Sequence, residues 1–353
     1  MKKTRGPRAS APGPHAKRKG DRLLPCLKTV FENTGFTAAI IIMNTELFVS
    51  FRDKLLESCG KVIVGKEEAI TRIGICLAAS GHVLLEDLPG TGKTMLLRAF
   101  ARCIGGEFRR IQFTPDILPS DLTGIHFYNQ KEGEFEFRRG PLFANVVLAD
   151  EINRAVHRSQ SALLEVMEER QITIDGETYP LEEPYIVMAT QNPVEAYGTF
   201  PLPEAQLDRF FMKLSLGYMT PEQEKQVLRR PDAKEIIAGL EPVVTREELA
   251  QIRRAYRDVE VGESVADYLM SIVTATRNSD RLACGASTRG SLALFKAAQI
   301  TAAMEGRDYV IPEDVKSNAV PVLAHRLTVV SGSHLAPEEY LRRLLDEIPV
   351  PVE

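Results

Sequence analysis

The stretch EDLPGTGKT, residues 86–94, decides the fold of this 353-residue chain. It follows the apolar run Val83–Leu85 and leads into an apolar helical pattern that begins at Met95. Small residues between a strand and a helix let backbone N–H groups surround a phosphate, and the helix N-terminus favours the anion. In that arrangement Lys93 reaches the β- and γ-phosphates of a nucleotide, and the Thr94 hydroxyl holds Mg²⁺.

The loop departs from the general pattern GxxxxGK[ST] at one position, because Asp87 stands where the first glycine is expected. By ordinary residue frequencies, GK[ST] alone occurs in roughly one chain in six of this length. Requiring Pro89-Gly90 in front of it lowers that frequency to roughly one chain in a thousand. The strand–loop–helix placement lowers it again, so the sequence predicts a nucleotide-binding loop.

The stretch NVVLADE, residues 145–151, is a second strand pattern, and it ends in two carboxylates. The carboxyl ends of parallel strands meet at one edge of a sheet, so this pair is expected to face the same crevice as the loop. There Asp150 can hold the Mg²⁺ shell, and Glu151 is placed to take a proton from an attacking water. Paired acids at a strand end also occur as solvated helix caps, but their position after a phosphate loop favours the catalytic interpretation.

Two further polar residues follow predicted elements. Asn192 comes after the strand YIVMAT (185–190), and it is either a turn cap or a sensor of the γ-phosphate and the water. Arg209 lies in LPEAQLDRF (202–210), just before the last predicted strand. It is either a structural ion pair or a group that stabilises charge in a neighbouring subunit's transition state. Arg154, just after the acidic pair, competes with it for that intersubunit role.

Composition indicates an ordinary globular protein, with 44% hydrophobic and 26% charged residues. No apolar run approaches the roughly 18 residues that a membrane-spanning helix needs. The five cysteines are scattered without a CxxC pair, as is typical of reduced thiols in a cytoplasmic protein rather than a zinc site or a disulfide framework.

The net charge is −4, but residues 1–42 carry nine Lys or Arg and two Asp or Glu, which leaves an acidic body. An acidic body argues against nucleic-acid binding as the main activity, because neutralising phosphates needs a basic surface.

The pattern of apolar residues divides the chain into three parts. Residues 1–42 are basic and rich in Gly and Pro, and we expect a disordered extension. Residues 43–218 alternate strands with helices, as a parallel sheet with crossover helices requires. The strands are predicted at Val83–Leu85, Ile111–Thr114, Val146–Ala149, Tyr185–Thr190 and Met212–Leu216. Two alternating segments, Gly124–Arg138 and Gln171–Tyr179, predict inserted β-hairpins.

Strand patterns stop after Gly217, and residues 219–353 are predicted to form an all-helical domain. Capping boxes at Thr220 and Thr245 mark the starts of two of its helices. The predicted helices cover 222–229, 246–257, 264–277, 287–304, 312–325 and 337–347, with a linker near 229–244.

The order of these motifs resembles the MoxR family of AAA+ ATPases. The similarity rests on EDLPGTGKT, GPLFANVVLADEINRA (140–155), ATQNP (189–193) and LPEAQLDRF, and it continues through GASTRGSLAL (285–294) and GRDYVIPEDV (306–315). It covers about residues 45–330, and an Asp at the first loop position is a feature that the family shares. The resemblance implies a P-loop AAA+ module with a central parallel sheet, two inserted β-hairpins and a helical lid domain.

The resemblance also implies roles for individual residues. Lys93 is the Walker A lysine, Thr94 and Asp150 hold the metal, Glu151 is the Walker B glutamate and Asn192 is sensor 1. Arg209 is the arginine finger and Arg289 is sensor 2, although Arg289 opens a helix and could serve as a structural charge there. The residues implied to hold the nucleotide are Val64, Gly65, Pro89, Gly90, Thr91, Gly92, Lys93, Thr94 and Met95.

The function that these residues imply is Mg²⁺-dependent ATP hydrolysis by a hexameric ring that remodels or matures protein complexes. The family's clients include proteins with a von Willebrand factor A domain. Two alternatives stay open at this point. One is a DNA-dependent motor related to MCM-type helicases, which share the hairpins, and the other is a binding module that uses ATP only as a switch. A GTPase is poorly supported, because the guanine-reading motif [NT]KxD does not occur.

Overall fold

The computed structural model describes residues 45–87, 90–191, 199–330 and 335–351. The chain divides into two units, residues 1–42 and residues 43–353, and all the described residues belong to the second. The prediction of a disordered extension therefore lies outside the described residues. The predicted boundary at residue 218 stays a prediction, since residues 43–353 group as one unit.

Strands and helices alternate through the first half of this unit, and helices predominate in the second. The strands are β1 (Val83–Glu86), β2 (Phe108–Gln112), β3 (Gly124–Asn129), β4 (Glu134–Arg139), β5 (Val146–Asp150), β6 (Gln171–Ile174), β7 (Glu177–Pro180), β8 (Ile186–Gln191), β9 (Met212–Leu214), β10 (Leu282–Cys284) and β11 (Thr328–Val329). The helices are α1 (45–60), α2 (Glu67–Ala78), α3 (Lys93–Cys103), α4 (Pro119–Thr123), α5 (His157–Glu169), α6 (Glu204–Leu207), α7 (Pro221–Leu228), α8 (Ala233–Ala238), α9 (Arg246–Ala255), α10 (Glu263–Arg277), α11 (Thr288–Met304), α12 (Pro312–Leu323) and α13 (Pro337–Glu347). Among the described residues, no helix is long and apolar enough to cross a membrane.

The central sheet has five parallel strands in the order β2-β5-β8-β1-β9. Successive side chains of a strand point to opposite faces of the sheet. Val83 and Leu85 accordingly pack in one hydrophobic core, and Leu84 packs in the other. Burial on both faces explains the uninterrupted apolar runs of β1, β5 and β8, and it confirms the predicted parallel sheet.

The strand predicted at Ile111–Thr114 is displaced from the observed β2, which begins at Phe108. This strand lies at the edge of the sheet, and Ile111 is the one residue of the strand that is buried. Arg109 and Arg110 belong to the strand but are exposed and charged. They therefore interrupt the apolar pattern from which the start of the strand was predicted. Edge strands commonly carry such charged side chains.

The two predicted hairpins are present as β3–β4 and β6–β7, and they contact each other. Phe137 stacks on Tyr179 with ring centroids 4.8 Å apart, and Phe143 packs edge-on against both rings. At the far end of the first hairpin, Tyr128 and Phe135 contact each other and are 54% and 73% exposed. The two insertions, distant in sequence, therefore share one aromatic layer that extends to the surface.

The C-terminal half is mainly helical, as predicted, with two additions. Helix α8 lies within the predicted linker, where it is too short for a clear periodic pattern, although Asp232 caps its N-terminus. Strands β10 and β11 pair with each other, which the prediction of purely helical structure missed. They are only three and two residues long, so local alternation could not reveal a pairing made by distant segments. Thr220 and Thr245 do cap α7 and α9 in capping boxes, as predicted.

Two buried histidines should make the stability of the protein depend on pH. Burial lowers the pKa of His82 to about 3 and holds the pKa of His325 well below its ordinary value. The unfolded chain then binds more protons than the folded one below about pH 6.5, so acid favours unfolding. Between pH 6.5 and 5, His82 alone should reduce the free energy of unfolding by about 2 kcal/mol, and His325 acts in the same direction. Urea unfolding at pH 7 and pH 5 measures this loss, and equal stability at both values would contradict it.

Candidate active site

The phosphate loop joins β1 to α3, and its conformation depends on glycine. Gly90 and Gly92 both have φ of +86°, in the left-handed region that side chains disfavour. Gly92 is the residue before α3, and no side chain caps the helix there. The first N–H groups of a helix have no partner within it, so they remain available to an anion. Pro89 lies outside the described residues.

One cavity of about 360 Å³ brings the loop and the acidic pair together. It is lined by Asp87, Gly90, Thr91, Gly92, Lys93, Thr94, Met95, Arg110, Asp150, Glu151, Thr190 and Gln191. The predicted phosphate-binding and acidic residues in the described part of the chain therefore share one site. Thr94 and Asp150 present oxygen atoms to this cavity, and such donors suit Mg²⁺, which prefers oxygen ligands.

Asp150 is held by two neighbouring strands. The Thr190 hydroxyl on β8 donates to Asp150 Oδ1 at 2.7 Å, and Arg110 Nε on β2 donates to Oδ2 at 3.0 Å. Thr190 Oγ1 also accepts the backbone N–H of Glu151 at 2.8 Å. A single hydroxyl thus fixes the position of both carboxylate-bearing residues relative to β8.

Glu151 has an unusual backbone and a well-defined set of contacts. Its φ is +58°, a left-handed value that costs a non-glycine residue about 1–3 kcal/mol and is concentrated at functional sites. Gln112 Nε2 donates to Glu151 Oε2 at 2.7 Å, and Arg154 Nε lies 3.0 Å from the same oxygen. Arg154, the alternative arginine finger, therefore contacts the glutamate of its own chain.

Three of these residues were not predicted from the sequence. Arg110 lies on β2 before the predicted start of that strand, whereas Gln112 and Thr190 were assigned only to strands. Arg110 and Gln112 are two residues apart, so they share one face of β2, beside the ends of β5. A correct register for β2 would have indicated them.

Asp87, at the position of the expected loop glycine, is buried and connects the loop to the end of β9. Its carboxylate accepts hydrogen bonds from the Ser215 hydroxyl and from the backbone N–H groups of Leu216 and Gly217, at 2.6–3.1 Å. Lys93 Nζ donates to the Asp87 carbonyl at 3.1 Å. An aspartate here therefore has a structural function that glycine could not provide.

Restoring the common glycine by Asp87→Gly should destabilise the protein rather than improve the loop. The change would leave two backbone N–H groups near the end of β9 without their acceptor, at a cost of about 1–3 kcal/mol each. Urea unfolding would measure the loss. The matched control is Asp116→Gly, which makes the same change at an exposed aspartate in a turn. Equal stability of Asp87→Gly and the parent protein would show that the hydrogen bonds to Asp87 contribute little.

Arg209 and Arg289 lie together, in a different cavity of about 350 Å³. Arg209 Nε lies 3.2 Å from Glu168 Oε2, and Arg289 Nη2 donates to Glu168 Oε1 at 2.6 Å. Three further cationic side chains, Arg170, Lys296 and Arg326, line the same cavity. Residues that the sequence assigned to two separate roles therefore form one arginine pocket.

The arginine pocket and the phosphate cavity lie at opposite ends of the sheet. Gly81 and His82, which line the arginine pocket, precede β1, whereas the phosphate loop follows it. The four residues of β1 span roughly 13 Å at about 3.3 Å per residue. An arginine side chain reaches several ångströms, so neither arginine can contact the phosphates of its own subunit.

The segment predicted to flank the base lies beside the loop. A Cβ added to Gly92 would lie 3.7 Å from Ile63 Cδ1. Val64 is buried, and Gly65 has φ of +67° and faces the Gln223 side chain of α7. Gly65 lines a third cavity, of about 670 Å³, next to β9 and α12. Base contact by Val64 and Gly65 stays a prediction, as does the sensor role of Asn192, which lies outside the described residues.

The chain is similar in sequence and in structure to known ATPases. A family model described as "ATPase family associated with various cellular activities (AAA)" matches residues 82–212, and one described as "AAA lid domain" matches residues 274–348. The crystal structure of a candidate ATPase from Cytophaga hutchinsonii is similar, with a TM-score of 0.80 and 39% identity. That similarity covers 87% of this chain and 98% of the other.

Curated relatives extend over most of the chain. The uncharacterized protein YeaC of Bacillus subtilis is 47% identical over 303 residues, which are 85% of this chain and 95% of YeaC. Chaperone MoxR1 of Mycobacterium tuberculosis is 42% identical over 308 residues, which are 82% of this chain and 80% of MoxR1. Protein MoxR of Methylorubrum extorquens is 31% identical over 320 residues, covering 82% of this chain and 92% of that protein.

Proposed function

The chain belongs to the MoxR family of AAA+ ATPases, and from this premise we propose that it hydrolyses ATP in a ring that remodels or matures protein complexes. The observation that carries the proposal is the single cavity shared by Lys93, Thr94, Asp150 and Glu151. Phosphoryl transfer to water needs a phosphate cradle, a metal site and a group that orients the water. Each of these requirements has a candidate residue in this cavity.

The chemistry that we propose is in-line attack of water on the γ-phosphoryl group. Glu151 orients the water and takes its proton. Gln112 holds the Glu151 carboxylate, and the Thr190 hydroxyl holds its backbone N–H group. Lys93 and the N–H groups of the loop bind the phosphates, and the lysine meets the charge that develops in the transition state. Mg²⁺, held by Thr94 and Asp150, would supply further positive charge at the phosphate oxygens.

The arginine pocket supports a ring, which we propose is hexameric. Arg209 and Arg289 lie about the length of β1 away from their own phosphate loop, and we propose that they act on the nucleotide of a neighbour. An arginine supplied in this way is worth about 10³–10⁵ in rate. Hydrolysis would then depend on assembly, and each active site would be completed at a subunit interface.

The first hairpin supports protein clients rather than DNA. Its exposed end presents Tyr128 and Phe135, and aromatic side chains are enriched in protein interfaces. Glu134 and Glu136 alternate with the phenylalanines of β4 and would repel a phosphate backbone at the exposed end of the hairpin, whereas the basic pair Arg138-Arg139 lies at the other end of the strand. Chaperone MoxR1 is a relative, so we propose client proteins, with von Willebrand factor A domains as one class. We propose a cytoplasmic location, because the described cysteines are all free thiols.

Phosphate release from ATP tests the proposal directly. We expect turnover with ATP and Mg²⁺, loss of turnover with EDTA, and a rate per subunit that rises with protein concentration as rings assemble. Stimulation by duplex or single-stranded DNA would favour the motor instead. Tight ATP binding without phosphate release at any protein concentration would favour the switch module.

A further inference from the structure

Glu168, in the last turn of α5, contacts both arginines of the arginine pocket. We propose that Glu168 is a positioning residue: its carboxylate holds the guanidinium groups of Arg209 and Arg289 side by side, as one unit, for the phosphates of a neighbouring subunit. The inference rests on the proposed function, because it assumes that the two arginines act across the interface. Neither the sequence motifs nor the family pattern quoted above includes Glu168.

Asp208, the other carboxylate near the arginine pocket, does not hold the two arginines together. Asp208 accepts a hydrogen bond from Arg326 Nε at 2.8 Å, and the Arg326 side chain is only 2% exposed. Asp208 also accepts the Ser287 hydroxyl at 2.8 Å, whereas Arg289 Nη1 lies 4.0 Å away. Asp208 is thus engaged with a buried cation, and Glu168 is the carboxylate in direct contact with both Arg209 and Arg289.

The position of Glu168 in its helix is unfavourable for helix stability. It lies in the last turn of α5, and that turn contains no basic residue. The carbonyl end of a helix carries partial negative charge, so a carboxylate there is repelled. The helix dipole therefore does not favour a carboxylate at this position, whereas the two guanidinium groups beside it stabilise its charge.

Electrostatics explains how the Glu168 carboxylate can hold Arg209 and Arg289 together and still give way to the phosphates of a nucleotide. Two guanidinium groups in one pocket repel each other, and a shared carboxylate offsets that repulsion. The Glu168, Arg209 and Arg289 side chains are 37%, 31% and 48% exposed, so the contacts are screened by water. A polyphosphate carries more negative charge than one carboxylate, and it can replace Glu168 when a neighbouring subunit docks.

Mixing experiments with Glu168→Ala test the assignment. If Glu168 serves the arginines, Glu168→Ala damages only the arginine side of the interface and leaves its own phosphate loop intact. Mixing it with Lys93→Ala should then restore activity, because some interfaces pair an intact loop with intact arginines. Mixing Glu168→Ala with Arg209→Ala should not restore activity, because both variants are defective on the arginine side of the interface. A general folding defect would damage both sides, and neither mixture would recover.

The kinetics of Glu168→Ala alone give a second readout. We expect kcat to fall about tenfold with KM for ATP unchanged, since loss of orientation affects the transition state rather than nucleotide binding. Glu168→Gln, which keeps the length and an acceptor oxygen, should recover part of the rate. Glu165→Ala, an exposed glutamate one turn earlier on α5, is the matched control and should behave like the parent protein.

The results that would overturn the inference are equally specific. A parental kcat for Glu168→Ala, or recovery of activity on mixing Glu168→Ala with Arg209→Ala, would exclude a positioning role. Failure of the proposed function appears elsewhere, as absence of recovery between Lys93→Ala and Arg209→Ala. In that case the arginines themselves do not act across the interface, whatever Glu168 does.

Discussion

Glu151→Gln should bind ATP as the parent protein does and hydrolyse it about 10²–10⁴-fold more slowly. The amide keeps the shape of the side chain and its contact with Gln112, but it cannot take a proton from water. Lys93→Ala should instead lose ATP binding, because the lysine begins α3 at the phosphate loop and we propose that it contacts the phosphates directly. The two variants therefore separate binding from chemistry within one cavity.

The measurements are equilibrium binding of a fluorescent ATP analogue and phosphate release under saturating ATP. Glu165→Gln makes the same chemical change on an exposed side chain of α5 and serves as the control. Melting temperatures of all variants establish that the fold is intact. Hydrolysis by Glu151→Gln at the parental rate would show that another group activates the water.

Lys93→Ala and Arg209→Ala, each inactive alone, should recover activity when they are mixed. Arg209→Ala should lose about 10³–10⁵ in rate, as expected for an arginine that meets transition-state charge in trans. The physical reason is the separation of the arginine pocket from the phosphate cavity by the length of β1. Recovery should increase with total protein concentration, because the catalytic unit is an interface.

Size-exclusion chromatography should first establish that the mixtures assemble. Assembled mixtures that stay inactive at every ratio, while Arg154→Ala with Lys93→Ala recovers, would identify Arg154 as the arginine finger. Full activity of Arg209→Ala alone would exclude the role that we assign to it.

Local patterns predicted the elements whose signals are contiguous in the sequence. The apolar runs of β1, β5 and β8, the two hairpins and the capping boxes of α7 and α9 were all identified. The elements that were missed or displaced have weak local signals: β2 is an edge strand with exposed arginines, α8 is a short helix, and β10 pairs with the distant β11. A strand defined by a distant partner leaves little trace in its own residues.

In the candidate active site, too, the residues that were missed or misinterpreted depend on partners far away in the sequence. Asp87 was read as a mismatch to the loop pattern, because the sequence does not show that the end of β9 supplies its three hydrogen-bond donors. Arg110 and Gln112 were not predicted, because their position depends on the register of an edge strand. Arg209 and Arg289 were predicted, but as separate residues with separate roles.

The sequence by itself determined the family and the residues that are expected to handle the phosphates, because a loop and a helix N-terminus are built from consecutive residues. It also identified the acidic pair at the end of β5, since parallel strands bring their carboxyl ends to one edge of the sheet. Only the tertiary structure decided that Arg209 and Arg289 share Glu168 and lie a full strand length from their own phosphate loop. That arrangement depends on how the helical region packs against the amino ends of β1 and β9, and such packing is set by contacts between residues far apart in the chain.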